Sequence, residues 1–407
     1  MADGRRGGGG VEALSTVAIV GGCGHVGLPL GLAFADTGRR VILYDIDTRA
    51  VDQVRAGKMP FRERGADEVL ARVLAAGTLT LTTDPEPLGE AEHVVVVIGT
   101  PVDEYLNPDP GAVVHAVEQM ADHLRDGQHL VLRSTVYPGV TSMVERVVSR
   151  RGLSLDVSFC PERVAEGNSL EELRSLPQIV SGCTPGALDR AVQLFESITA
   201  KVVPVRVEEA ELAKLFTNTW RYIRFAAANQ LYMIATGHGV DFERVRAAMI
   251  EDYPRAADMP SAGLTAGPCL LKDTMQLAAF NENNFLLGHA SMLVNEGLPA
   301  FLVDQIEAEH DLSTLTVGLL GMAFKSESDD TRSSLSYKLK RLLGVRARRV
   351  MCTDPFVTTD TDLEPLDVVL EQADLVVVGT PHKAYRSLVP TVPAYDIWGV
   401  LGAAEPS

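Results

Sequence analysis

Cys269 and Asp273 stand four residues apart in the run Gly267-Pro268-Cys269-Leu270-Leu271-Lys272-Asp273. If that run is helical, the two side chains share a face. Gly263 and Gly267 come before the pair and a helical pattern follows it. A cysteine at a helix start feels the positive end of the dipole, which favours the thiolate nucleophile. Asp273 beside it is placed to hold a water or an ammonium group. The same spacing, read locally, also suits a buried structural cysteine. What raises the interest of Cys269 lies at the other end of the chain, where Gly22, Gly24 and Gly27 have the G-x-G-x-x-G spacing of a dinucleotide turn. A nicotinamide site alone serves a two-electron oxidation of an alcohol. A nicotinamide site with a thiol nucleophile opens a four-electron route. The thiolate traps an aldehyde as a thiohemiacetal, which gives up a second hydride to become a thioester, and water releases the acid.

The glycine triad needs a strand before it and a helix after it. Thr16–Val20 is a short apolar run, and a helix is predicted from about Val26 to Thr37. In such a turn the first glycine permits the bend, the second admits the pyrophosphate, and the third lets helix pack on strand. His25, Val26 and Gly27 therefore join Gly22 and Gly24 as cofactor-binding residues. Val41–Tyr44 reads as the second strand and ends at Asp45, whose carboxylate suits the ribose hydroxyls of NAD and repels the 2′-phosphate of NADP. Val94–Ile98 runs into Gly99-Thr100-Pro101, and His129–Leu132 into Arg133-Ser134-Thr135. Both tails leave carboxyl ends of strands, the ligand edge of a parallel sheet, so Thr100, Pro101 and Thr135 are expected on the nicotinamide side.

Between Glu208 and Thr236 neither Gly nor Pro occurs, which predicts one long helix. Leu212, Leu215, Phe216, Ile223, Ala227 and Leu231 mark its expected apolar stripe. The length suggests a spine between domains and a dimer surface. Lys214 and Asn218 share a face and could donate to a developing oxyanion, although an isolated pair of this kind is ordinarily solvated. Leu315–Gly321 again looks like a strand entering a turn, but without the full glycine fingerprint. Its turn carries Lys325, Asp329, Asp330 and Arg332 instead. Further strands read at Arg349–Thr353 and Leu375–Val378. Lys338, Lys340, Arg341, Arg346, Arg348 and Arg349 read as a solvated helix face and its exit loop.

At 407 residues the chain exceeds one ordinary core. The expected organisation is a disordered leader over 1–14, an NAD-binding Rossmann domain over 15–205, a central helical domain carrying Cys269 over 206–300, and a second Rossmann-like domain over 301–407. The fold class is α/β, with two doubly wound parallel sheets joined by the long helix and the helical middle domain. A net charge of −17 argues against a nucleic-acid partner, and an anionic ligand must meet a local basic pocket. Five cysteines, with no CxxC pair or metal spacing, predict free thiols in a reducing compartment and no metal site. No run of eighteen apolar residues occurs, and Met1–Gly10 lacks the apolar core of a signal peptide. A soluble, cytoplasmic protein without a membrane partner is expected.

Taken in order along the chain, these motifs resemble the UDP-glucose/GDP-mannose dehydrogenase family of nucleotide-sugar 6-dehydrogenases. The resemblance runs from about Thr16 to Gly402 through Gly22–Gly27, Thr100-Pro101, Ser134-Thr135-Val136, Pro161-Glu162-Arg163, Glu166-Gly167, Lys214 with Asn218, Arg255, Cys269 with Lys272-Asp273, and Phe324-Lys325 with Asp330 and Arg332. It implies oxidation of the C6 hydroxyl of a UDP-sugar to the uronic acid, with two NAD consumed per turnover. Cys269 would be the nucleophile, and Lys214 and Asn218 the oxyanion donors. Asp273 would position water or the lysine. Glu162 would be general acid/base, and Thr135 would belong to the polar network around the attacked carbon. Glu162, Glu166, Lys214, Asn218, Gly267, Lys325 and Arg332 would line the nucleotide-sugar site. Arg255 would reach into the site of a neighbouring subunit, making a homodimer the active unit. The chain departs from the family in Ala266-Gly267-Pro268 before the cysteine, where paired glycines are common, and in His25, where a tyrosine is common. The run Cys160–Gly167 with Leu176-Pro177 is closer to the branch acting on UDP-N-acetylhexosamines, while the Lys272-Asp273 pair is familiar from UDP-glucose enzymes. Two other readings fit parts of the pattern. One is a two-electron dehydrogenase of the β-hydroxyacid or 6-phosphogluconate type, which needs no Cys269. The other is a nucleotide-sugar-binding protein without catalysis.

Overall fold

The structure is a computed structural model and describes residues 15–100, 102–103, 105–265 and 267–402. The expected leader over 1–14 and the cofactor residue Pro101 lie outside the described residues. The chain forms two compact units. One reaches to Thr100 and resumes over Pro110–Glu211; the other takes the intervening short segment and everything from Leu212 onward.

The first unit is built on six strands, β1 (Val17–Val20), β2 (Val41–Tyr44), β3 (Leu79–Thr82), β4 (His93–Val96), β5 (His129–Leu132) and β6 (Asp156–Phe159). All pairs are parallel, in the order β3-β2-β1-β4-β5-β6. This is the doubly wound order, whose reversal between β1 and β4 opens a crevice at the carboxyl edge. Central strands read as unbroken apolar runs because helices cover both faces; every residue of β1 is buried. Leu28, Leu30, Leu32 and Phe34 of the helix Gly27–Asp36 pack with Ile19, Leu43, Val95 and Phe195 in one core. A smaller parallel pair, β7 (Gln178–Val180) with β8 (Val202–Pro204), follows.

At the amino edge of this sheet His93 and His129 begin neighbouring strands and meet Nδ1 to Nδ1 at 2.9 Å, both buried. Ser158 Oγ donates to the carbonyl of Ala187 at 3.0 Å, so His129 Nε2 must donate to Ser158 at 2.9 Å. His129 Nδ1 then accepts from His93, and His93 Nε2 accepts from Ser15 Oγ at 3.1 Å. The chain is satisfied with both rings neutral. Burial, the largest cause, holds His93 down to about 3 and His129 to about 2.

The second unit carries β9 (Thr316–Leu320), β10 (Arg349–Thr353), β11 (Leu375–Val378) and β12 (Ala394–Tyr395), parallel in the order β10-β9-β11-β12. Leu298, Leu302, Val303 and Ile306 of the helix Leu286–Glu309 share one core with Val317, Leu319 and Leu375 of the sheet. That helix is long and apolar enough to cross a membrane by length and composition. Its Asn295 is fully buried beside these core residues. Three of the six residues of the basic run are met by acids: Lys338 by Glu296, Arg346 by Asp304 and Glu307, and Arg348 by Asp374.

The long helix spans Val207–Gly237, 31 residues, or about 46 Å at 1.5 Å per residue. Glu211 in its second turn accepts from the amides of Gly139 (2.7 Å) and Thr141 (3.0 Å), placing a carboxylate at the start of the helix Val140–Arg150. The expected apolar stripe is corrected by the structure. Only Leu215 of that set is buried, while Phe216 is 52% exposed and Leu231 41% exposed. The buried positions instead include Ala210, Glu211, Lys214, Leu215, Asn218, Thr219, Tyr222, Ala226, Ala228 and Asn229. Polar partners from other elements draw the polar ones among them inward.

Candidate active site

In the first unit the glycine turn is crowded at Gly21, Gly22 and Gly27. Gly21 has φ +76°, and a Cβ on it would overlap the carbonyl of Val97 at the exit of β4. A Cβ on Gly22 would press on Leu43 of β2 at 2.8 Å, and one on Gly27 would overlap the Gly21 carbonyl. Gly24 differs: its Cβ would meet only the Gly21 carbonyl, at an ordinary 3.6 Å. Space is kept open there, which suits the approach of a pyrophosphate. Val26 is the residue preceding the helix Gly27–Asp36, and His25 stacks on Phe61 at 4.1 Å between ring centroids. Asp45 follows β2 and is half-buried. Its Oδ2 accepts from the Cys23 amide at 2.9 Å and its Oδ1 from the Asp47 amide at 3.0 Å, which aims the carboxylate without filling its capacity.

Two strand exits are stitched together. The Ile98 amide donates to Ser134 Oγ at 2.8 Å, and Thr100 Oγ1 donates to the Thr135 carbonyl at 2.8 Å. Thr135 itself is half-buried. Beside it, the sequence reading passed over Arg133, a fully buried cation at the end of an apolar strand. Its guanidinium donates to the Cys160 carbonyl at 3.0 Å, to Gln178 Oε1 at 2.9 Å and twice to Glu162 Oε2, at 3.0 and 2.5 Å. Glu162 Oε1 accepts from the amides of Arg163 (2.7 Å) and Val164 (2.9 Å). The loop continues in the same way. Ala165 donates to Glu172 at 2.6 Å, and the amides of Gly167 and Ser169 donate to Glu63 at 2.8 and 2.6 Å. Three carboxylates thus satisfy the backbone of a loop that has no regular partner and that carries half-buried Glu166. Burial, the largest cause, raises Glu63 above the usual carboxylate range despite these bonds. The one hint in the sequence was an arginine closing a strand-like run, a position that cannot hold a charge without a counter-ion.

In the second unit Cys269 immediately precedes the helix Leu270–Phe280, and it is the exposed cysteine of the five. Burial holds the thiols of Cys23, Cys160 and Cys183 up to about 12 and that of Cys352 to about 11. Asp273, one turn on, is fully buried, and its amide donates to the Cys269 carbonyl at 2.9 Å. Asn218 Nδ2 donates to Asp273 Oδ2 at 2.5 Å, joining the long helix to the cysteine helix. Lys272 approaches Asp273 Oδ1 at 2.7 Å as an ion pair without hydrogen-bond alignment. Lys214 is 8% exposed; among the described residues it has no ion-pair or hydrogen-bond partner. Gly267, two residues before Cys269, has φ +106°, and a Cβ there would press on the Phe324 ring at 2.7 Å.

The remaining expected residues are placed as follows. Lys325 lies 5.5 Å from the Phe324 ring centroid, and the Arg332 guanidinium forks around Asp330 with bonds of 2.6 to 3.0 Å. Arg255 is exposed, over the Tyr253 ring at 5.9 Å, just after Asp252 at φ +49°.

Three domain models of one family match the chain. The descriptions are the UDP-glucose/GDP-mannose dehydrogenase family NAD binding domain over residues 15–199, its central domain over 208–296 and its UDP binding domain over 318–402. The UDP-N-acetyl-D-mannosamine dehydrogenase of Pyrococcus horikoshii is 30% identical over 380 residues, 90% of either chain. The NDP-N-acetyl-D-galactosaminuronic acid dehydrogenase of Ralstonia nicotianae is 27% identical over 92% of either chain. The solved UDP-glucose dehydrogenase of the archaeon Pyrobaculum islandicum has a TM-score of 0.89 and 27% identity, over 97% of this chain and 96% of that one.

Proposed function

The chain belongs to the UDP-glucose/GDP-mannose dehydrogenase family of NAD-dependent enzymes, and from that premise we propose that it oxidises the C6 hydroxyl of a UDP-N-acetylhexosamine, UDP-N-acetylmannosamine foremost, to the carboxylate. The sugar rests on the names of several relatives and on the run Cys160–Gly167. Bound NAD supplies the hydride acceptor, once for each two-electron step. The glycine turn and Asp45 would hold it, since the open position at Gly24 and the unfilled carboxylate fit a pyrophosphate and a ribose.

The observation that carries the mechanism is the bond from Asn218 to Asp273, which sets the Lys214 helix against the Cys269 helix. The C6 hydroxyl first loses a hydride and, to solvent, its proton, which leaves an aldehyde; the Cys269 sulfur adds to it and Lys214 donates to the resulting oxygen. Loss of a second hydride, with the hydroxyl proton again passing to solvent, turns the thiohemiacetal into a thioester. Water adds to the thioester carbon, the C–S bond breaks, and the sulfur leaves as thiolate with the acid formed. Asp273 keeps the Asn218 amide and the Lys272 ammonium in place during these steps. Glu162 accepts four hydrogen bonds from Arg133 and its own loop. In our reading it orders the 162–169 segment around the sugar, beside the general acid/base role that the resemblance implies for it. A second copy covers Phe216, Trp220, Leu231 and Ile234, the exposed apolar side of the long helix, and Arg255 completes its neighbour's site.

The test is the yield of NADH per UDP-sugar consumed. About two per sugar is expected, with Cys269→Ala forming no uronic acid. One NADH per sugar, unchanged by Cys269→Ala, would sink the thioester route in favour of a two-electron dehydrogenase. Mixing Arg255→Ala with Cys269→Ala protein should restore activity if the arginine crosses between subunits.

A further inference from the structure

Asn229 lies on the inward face of the long helix, in its second half, and is fully buried. Its amide treats Gly263 as a neighbouring strand would. The Gly263 amide donates to Asn229 Oδ1 at 2.8 Å, and Asn229 Nδ2 donates to the Gly263 carbonyl at 3.1 Å. Nδ2 also donates to Asn295 Oδ1 at 2.9 Å, and Asn295 Nδ2 donates to the Tyr222 carbonyl at 3.1 Å. These partners leave the amide one orientation. Reversed, it would set Nδ2 against the Gly263 N–H and Oδ1 against two acceptors. The segment around Gly263 is in no helix or strand, yet Ala262 and Leu264 are buried in the core. Its backbone therefore needs partners, and a side chain from the long helix supplies them.

Gly263 is pressed from another side as well. A Cβ there would overlap the Trp398 ring, whose Nε1 donates to the Gly379 carbonyl at 3.1 Å. Six residues later comes Cys269. Between them Gly267 is set against Phe324, with its amide 3.4 Å from the Ser333 carbonyl. The backbone at Gly263 is thus pinned by Asn229 and Trp398.

We infer that Asn229 is a positioning residue, its amide fixing the Gly263 backbone and through it the place of the Cys269 sulfur. The inference rests on reading Cys269 as the nucleophile. A displacement of the sulfur by about an ångström costs up to about a hundredfold in rate, whereas substrate contacts made elsewhere are untouched. Asn295→Ala is the control, because it breaks the same buried network and leaves both Asn229–Gly263 bonds in place.

The experiment compares Asn229→Ala and Asn295→Ala in the full-length protein by three readouts. These are Tm, kcat with KM for UDP-sugar and NAD, and the rate of iodoacetamide alkylation at Cys269, the exposed thiol. Both variants should lose Tm. Asn229→Ala should lower kcat about tenfold or more with KM within about twofold, and change the alkylation rate at least about threefold. Asn295→Ala should leave kcat and alkylation within about twofold. If Asn229→Ala does not fold, Asn229→Ser, which keeps one hydrogen-bonding atom, should show the same split. Equal effects of the Asn229 and Asn295 variants on kcat and alkylation, or wild-type alkylation in a folded Asn229 variant, would overturn the inference. The alkylation rate is read without turnover. A failure of the nucleophile reading appears separately, as activity surviving in Cys269→Ala.

Discussion

Asp45 and Asp354 each follow the strand that pairs with the first strand of its sheet, β2 beside β1 and β10 beside β9. Their surroundings diverge. Asp45 is half-buried and accepts from two backbone amides. The Asp354 side chain is fully buried. Its Oδ2 accepts from the amides of Met322 (2.7 Å) and Ala323 (3.0 Å) and from His382 Nε2 (3.0 Å), and its Oδ1 from those of Phe356 (2.8 Å) and Val357 (3.1 Å). His382 Nδ1 accepts from the Glu327 amide at 3.0 Å, so the ring must donate through Nε2. One carboxylate has capacity left for a ribose; the other is consumed in tying three strand exits together. At the same topological position one carboxylate keeps acceptor capacity and the other is spent on loop architecture, the difference being the number of donors already present.

The strongest way to break this comparison is Asp354→Ala, which strands four amides and a histidine in the interior. A loss of about 3–5 kcal/mol is expected, read as a urea midpoint by tryptophan fluorescence, since both Trp220 and Trp398 belong to the second unit. A loss below about 1 kcal/mol would show that the loops hold without it. Asp45→Asn should reverse the pattern. Stability changes by under about 1 kcal/mol, while KM for NAD rises about ten- to a hundredfold and discrimination against NADP falls. An unchanged KM would detach Asp45 from the ribose.

Acid sharpens the contrast. His93 and His129 are neutral and hard to protonate in the folded first unit, so their contribution is complete above about 6.5 and declines as pH falls towards about 3 and 2 respectively. Each histidine should cost about 1.4 kcal/mol per pH unit across that window. Hydrogen exchange in β4 and β5 measures it, and a flat profile between pH 6.5 and 5 would contradict the neutral pair. Asp354 is held below the usual carboxylate range, burial being outweighed by His382 and the loop amides. Its contribution is complete above about 3.9 and is lost only as pH falls below that. The fluorescence midpoint should therefore hold to lower pH than the first sheet's exchange protection. The smallest stability effect belongs to Gly24→Ala, expected within about 0.5 kcal/mol of wild type because space is open there. NAD binding should weaken all the same, as shown by titration.

Short-range chemistry was legible in the residue order. Gly22–Gly27 was read as a dinucleotide turn and Val41–Tyr44 as the second strand, and β2 spans Val41–Tyr44. Alternating apolar runs and helical stretches announced parallel sheets, because strands covered on both faces have no polar side to show. The long helix was legible too, through its lack of Gly and Pro.

Which way that helix faces was not. Spacing puts Lys214 with Asn218 on one side, but says nothing of whether that side meets solvent. Apolar content marked Phe216 and Leu231 as part of one stripe, and both are exposed, whereas Asp273, 55 residues beyond Asn218, and Gly263, 34 beyond Asn229, draw a polar face inward. Arg133 meets Glu162 across 29 residues, and Asp354 meets the Met322 amide across 32. Periodicity and turn chemistry act over a few residues, so the sequence alone determined the elements and their order. Burial of a charge or an amide is stable only where distant donors and acceptors converge on it, and only the tertiary structure decided which of the chain's polar residues those were.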